Sequence, residues 1–199
     1  MKNIKNFSKR DKVFCLILLV LISVSSLFLW NKFTVVKSSE VEAETVKPKE
    51  IVTFGIPVKL KIPIIKIDSK VESLGLTKDG AVDSPAGPSS TGWYNLGPRP
   101  GEVGSAVIDG HSGWSKGKAV FDDLYKLKIG DKIYVEDDKG VTLTFSISKI
   151  MEYDPDVHAK EVFFSTDGKS HLNLITCAGV WDNLSKSHSS RLVIFTNKE

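Results

Sequence analysis

The chain has 199 residues, 41% of them hydrophobic, and carries a formal net charge of +3. The basic residues Lys2, Lys5, Lys9, Arg10 and Lys12, opposed only by Asp11, already account for +4 and leave the remainder near −1. That excludes a nucleic-acid-binding domain, which needs a basic patch on its folded surface.

From Val13 to Trp30 no side chain is charged, and the only polar ones among the eighteen are Ser23, Ser25 and Ser26. As a helix this run would span roughly 27 Å, close to the roughly 30 Å hydrocarbon thickness of a bilayer. The basic flank before it places residues 1–12 in the cytoplasm by the positive-inside rule, and Trp30 suits the outer interface. The run exceeds the usual core of a signal peptide and no clear A-x-A site follows it, which favours an uncleaved anchor over a cleaved leader. The expectation is one transmembrane helix over 13–30, in contact with membrane lipid, with everything after it outside the cell. Cys15 reads as an apolar membrane residue.

Residues 31–50 contain four glutamates and four lysines without a helical apolar period. They read as a flexible stalk. The remaining part, 51–199, is about 150 residues, the usual size of one domain. Such a length buries about 70% of its unfolded surface and needs no disulfide to support a core. The chain has two cysteines, Cys15 in the expected span and Cys177 in the expected ectodomain, which therefore cannot pair. An unpaired thiol outside the cell is a feature to flag; the plain alternative is a packed thiol, since free cysteine is among the most buried residue types.

Along the domain, Val58, Leu60 and Ile62 alternate with lysines, predicting a first strand that bends at Pro63. A short strand is expected over 71–76, before the turn signal Thr77-Lys78-Asp79-Gly80. Between Asp83 and Gly104 the density of Gly and Pro predicts a long connection, with a brief strand at Trp93 and Tyr94. Ser105 to Asp109 is a compact strand leading into Gly110-His111. Ala119 to Leu127 predicts a helical turn with Val120, Phe121 and Leu124 facing inward. Asp131–Glu136 and Val141–Ile150 flank the turn Asp137-Asp138-Lys139-Gly140, and Val141, Leu143, Phe145 and Ile147 give the clearest strand alternation in the chain. A loop through Asp154-Pro155-Asp156 leads to a strand over 171–177, a second loop over 178–190, and a last strand over 191–196. Seven or eight short strands with almost no helix predict an all-β fold, a closed or nearly closed barrel, although spacing alone leaves a sandwich open.

In a strand, alternate side chains share a face, so Cys177 goes with Ile175 and Asn173, and Thr176 with Leu174 and Leu172. If the leucines fill the barrel, Cys177 projects from its wall. Arg191 would share a face with Val193 and Phe195 on the next strand. A thiol, the imidazole of His111 and the guanidinium of Arg191 together suit nucleophilic attack on an amide carbonyl: a thiolate attacks, an imidazole moves protons, and a fixed cation steadies the developing charge.

The sequence Leu174-Ile175-Thr176-Cys177, Gly110-His111 at the end of Ala106-Val107-Ile108-Asp109, and Arg191 fourteen residues beyond the cysteine resemble sortases, the transpeptidases of Gram-positive surfaces, from about Val58 to Thr196. Val107-Ile108-Asp109-Gly110-His111, with Lys118 to Leu124 after it, looks most like class F, with classes D and E as neighbours. The absence of a second hydrophobic segment after Thr196 argues against the pilin-polymerising sortases. The resemblance implies an eight-stranded barrel in which Cys177 attacks the Thr–Gly bond of a Leu-Pro-x-Thr-Gly-like sorting signal. His111 would protonate the leaving amine, and Arg191 would bond the substrate backbone or the oxyanion. A peptidoglycan precursor or other amine acceptor would resolve the thioester.

Thr176 would orient the thiol or bind substrate, and Asp109 would orient His111 or face solvent. Trp114 and Trp181 would line the groove or pack in the barrel. His158, His171 and His188 read as structural or surface residues. The resemblance implies neither metal nor organic cofactor: some sortases bind calcium through acids in the loop before the histidine strand, and here Glu102 is the only acid from Pro88 to Gly104. The pairs Asp122 with Asp123 and Asp154 with Asp156 read as solvated. Two alternatives remain: a cell-wall cysteine peptidase that hydrolyses the thioester, and a membrane-anchored β-domain that binds a partner without chemistry. Oligomeric state is not legible.

Overall fold

The computed structural model describes residues 53–157, 159–184 and 187–199. The expected cytoplasmic segment 1–12, membrane span 13–30 and stalk 31–50 lie outside them, as does His158. Among the described residues no helix is long and apolar enough to cross a membrane.

The described residues form eight strands: β1 (Pro57–Ile62), β2 (Ile67–Leu74), β3 (Thr91–Tyr94), β4 (Gly104–Gly110), β5 (Lys132–Asp137), β6 (Thr142–Tyr153), β7 (Ser170–Asp182) and β8 (Ser187–Lys198). They close into a barrel in the order β1-β2-β3-β4-β7-β8-β6-β5. Closure removes exposed sheet edges. The pairs β2–β3 and β4–β7 are parallel, the others antiparallel. The parallel β4–β7 seam sets Asp109 level with Ile175 and so brings the histidine-bearing strand end beside the cysteine.

Period-two alternation builds the core. Leu60 and Ile62, Ala106 and Ile108, Ile133 and Val135, Phe145 and Ile147, Leu172 and Leu174, and Leu192 and Ile194 fill the barrel. The opposite faces of β4 and β8 carry Val107 and Val193, which pack with Val162 into a second apolar cluster outside the barrel. Val162 belongs to a one-turn helix, α1 (Lys160–Phe163). Asn173 Nδ2 donates to Val162 O at 2.6 Å and Tyr153 Oη to Glu161 Oε1 at 2.7 Å, fastening α1 against the wall.

Several boundaries correct the sequence expectation. The second strand runs over β2, four residues earlier than its expected start, because Ile67, Ser69 and Val71 all face inward. Pro63 opens a 3-10 turn, Pro63–Ile65, and within the expected helical turn Ala119 to Leu127 only Leu124–Lys126 is helical, as a 3-10 turn. Phe121 and Leu124 are buried as expected. The expected loop over 178–190 is mostly hairpin: β7 and β8 stay paired as far as Asp182 and Ser187, across a register shift between Ala178 and Trp181. Gly179 takes a left-handed φ of 74° there, which favours glycine. The extension lacks apolar alternation because both its faces meet solvent, with Val180 77% and Trp181 50% exposed.

Candidate active site

Cys177 sits where β7 leaves the core. Leu172, Leu174 and Thr176 are buried, whereas Ile175 and Cys177 line a groove of about 630 Å³ on the outer wall. β4, β7 and β8 supply one side of the groove through Val107, Asp109, Ile175, Cys177, Arg191 and Val193. The stretch from Tyr153 to Phe164 and the tip residues Ala81, Val82 and Ser84 of the β2–β3 connection supply the rest.

Arg191 faces Cys177 directly in the antiparallel register. Its guanidinium is held by the hairpin: Nη1 donates to His188 O at 3.2 Å and Ser190 O at 3.0 Å, and Nη2 to Ser187 Oγ at 3.2 Å. A guanidinium has five N–H donors in a rigid fork. Arg191 therefore keeps donor capacity for an oxygen in the groove.

His111 follows the last residue of β4. Two bonds stitch this strand end to β7: Thr176 Oγ1 donates to Gly110 O at 2.7 Å, and Ser112 Oγ donates to Cys177 O. Gly110 has no room for a side chain, since a Cβ there would come within 2.5 Å of the Phe121 ring. The imidazole packs against Trp114, with centroids 5.0 Å apart. His111 Nε2 lies 2.9 Å from Pro85 O. A carbonyl only accepts, so Nε2 is the proton-bearing nitrogen. The Pro85 segment is itself fixed, because Glu72 Oε2 accepts the N–H of the neighbouring Ala86 at 3.0 Å. Among the described residues no hydrogen bond joins His111 to Cys177, and His111 is not part of the groove lining.

Burial pushes the Cys177 thiol up; the Arg191 charge pulls it down and the Asp109 charge adds to the rise. The net direction leaves a protonated thiol at neutral pH. Asp109 shares the face of Val107 and lines the groove, so it neither faces open solvent nor bonds His111. Burial pushes its carboxyl up to about 6, against the Gly110 N–H and the charges of His111 and Arg191.

The structure thus gathers Cys177 and Arg191 on one wall and ties the His111 strand end beside them. Thr176, expected to orient the thiol or bind substrate, has its hydroxyl committed to Gly110 O and does not line the groove. Neither tryptophan packs in the barrel core: Trp114 covers His111, and Trp181 sets its ring against His188 at 5.2 Å. His171 is structural, bonded to Thr196 O and Asp167 at 3.0 Å each. Asp122 accepts the Gly113 and Ala119 N–H groups at 2.8 Å, and Asp123 pairs with Lys118 and Lys126. Glu102 accepts Arg99 N–H at 2.8 Å. Among the described residues no three His, Cys, Asp or Glu side chains cluster as a metal site would require. Sequence reasoning missed Pro85, Ser112 and the groove wall of α1. Backbone carbonyl roles carry no side-chain signal, but the alternation of Val107 with Asp109 already put that carboxyl on the outer face.

The family model of the sortase domain matches residues 60–199. The chain belongs to the sortase family. Sortases are cysteine transpeptidases acting on peptide bonds, and the match specifies no class. Sortase A of Bacillus anthracis is 35% identical over 80 residues, 40% of this chain and 36% of that protein, so the match spans little more than a third of that relative's length. Among solved structures, sortase C-1 from Actinomyces oris is 25% identical with a TM-score of 0.57, covering 71% of this chain and 72% of that one. A lid mutant of sortase A from Corynebacterium diphtheriae is 24% identical with a TM-score of 0.58, covering 76% and 74%, and shares the fold. The all-β, eight-stranded closed barrel expected from the sequence is thus the fold of this sortase domain.

Proposed function

We propose that this sortase cleaves a Leu-Pro-x-Thr-Gly-like sorting signal between Thr and Gly and transfers the acyl group to a cell-wall amine. The single observation that carries the residue assignment is the facing of Cys177 and Arg191 on the groove wall, with the His111 strand end bonded to Thr176 and Cys177. Cys177 Sγ gives its proton to the His111 imidazole, directly or through water, and attacks the threonine carbonyl carbon. Arg191 bonds the oxygen on which negative charge develops. His111 gives a proton to the departing glycine amine as the C–N bond breaks, leaving a thioester. An amine, from a peptidoglycan precursor or cross-bridge, then attacks the thioester carbon. It loses a proton to His111, which returns one to the departing Cys177 sulfur, and the thiol reforms. Thr176 serves by positioning Gly110 and His111. The apolar run 13–30 and its basic flank support a single-pass plasma-membrane location, with residues 51–199 outside the cell.

Intact mass spectrometry of the full-length chain in detergent, incubated with such a peptide and a glycine-based amine, tests this reading. A thioacyl adduct and ligated product that both vanish in Cys177→Ala are expected. Cleaved acid without ligation would make the chain a peptidase, and a folded protein that forms no adduct across a peptide panel would overturn the reading.

A further inference from the structure

Asp109 is a groove-lining carboxyl that the acyl transfer above leaves unused. Its neighbours on the wall are apolar: Val107 and Ile175 flank it, Val162 and Phe163 lie among the other lining residues, and the Arg191 and His111 charges act on it without an ion pair. Among the described residues only the Gly110 N–H bonds it, and no side chain forms an ion pair with it. A carboxylate accepts at about four lone-pair sites. Asp109 is half-buried, so part of that acceptor capacity is left for water or for a ligand entering the groove.

Position then says which ligand. Asp109 stands level with Ile175, two residues before Cys177 on the neighbouring strand. Strand spacings put the two Cα atoms about 8 Å apart, roughly two residues of extended peptide. His111, the acid for the leaving amine, is absent from the groove lining, so the groove side of Cys177 holds the acyl half of the substrate. Asp109 lies on that side, toward the apolar floor.

We propose that Asp109 determines specificity for the acyl-donor peptide, accepting a hydrogen bond from a donor group, by preference cationic, on one of the two residues before the scissile bond. This rests on the reading of the groove as the acyl-donor site. Such a contact is a charge-assisted hydrogen bond, so it discriminates strongly between donor-bearing and acidic side chains.

The test compares wild type, Asp109→Asn and Asp109→Ala, each as full-length chain in detergent. The rate constant kcat/KM for thioester formation is measured with Leu-Pro-x-Thr-Gly peptides carrying Lys, Gln or Glu at x, and with Val replacing Thr when x is Gln. Because each variant is judged by the ratio between its own peptides, partial misfolding cancels. The wild type is expected to favour Lys over Glu, or Thr over Val, by on the order of tenfold, with the Lys/Glu ratio collapsing toward one in both variants and the Thr/Val ratio in Asp109→Ala. Unchanged ratios would overturn the assignment. A wild type that forms no thioester with any peptide would instead sink the underlying reading of the groove, and the assignment with it.

Discussion

Thr176 and Cys177 split one dipeptide between two environments: the hydroxyl is sealed into the barrel against Gly110 O, and the thiol opens to the groove. This division was legible in the sequence, since the leucines at 172 and 174 mark the inward face. The half-burial of Asp109 was not, because a one-turn helix such as α1, which lines the same groove, is too short to show a helical period. That carboxyl has a thermodynamic consequence. With its folded value near 6 and an ordinary value of 3.8, the folded state holds more protons than the unfolded state between those pH values. Stability therefore falls as pH rises through the window, and the full penalty, on the order of 2–3 kcal/mol, applies above it. Asp109→Asn is expected to melt at a higher temperature than wild type at pH 7.5 and close to it at pH 4. An equal gap at both pH values would show that the carboxylate charge carries no such penalty.

Among the elements, the end of β4 is the most constrained. Adding a methyl group at Gly110 drives it into the Phe121 ring, itself buried in the barrel core. Overpacking of this kind costs about 1–3 kcal/mol. Gly110→Ala is expected to lower the melting temperature and, by moving His111, to reduce kcat for ligation by more than the loss of folded protein accounts for. Activity that scales only with the folded fraction would mean that the strand end does not position the imidazole. The antiparallel strands were readable from alternation, best of all β6 with Leu143, Phe145 and Ile147. The β7–β8 extension was not, because a two-sided exposed hairpin has no buried stripe to print in the sequence. Nor were the parallel pairings β2–β3 and β4–β7, since register between distant strands depends on core packing that local patterning does not encode.

At the scale of the whole molecule, the β5–β6 turn ties the barrel to the chain that enters it. Asp137 accepts N–H groups from Gly55 at 2.9 Å, Lys139 at 3.0 Å and Val141 at 2.8 Å. Burial opposes the charge, but the Val141, Gly55 and Lys139 bonds prevail and hold the carboxyl below its ordinary range. Its stabilisation is therefore present at neutral pH and lost as pH falls through the ordinary carboxylate value and below. Asp137→Asn must turn an amide against one of the three donors, costing about 1–3 kcal/mol at pH 7 and flattening the acid limb of the stability curve, readable by urea titration from pH 7 to pH 3. An unchanged urea midpoint at pH 7 would show that these bonds contribute no net stability. The parallel β4–β7 seam also dictates timing. Gly110 and Thr176 meet across 66 residues of sequence, and Arg191 arrives later still, near the end of the chain. Contacts so distant close slowly. On the proposed roles, a chain still being synthesised has not yet brought Cys177, His111 and Arg191 together, and forms no thioester before β8 is paired with β7.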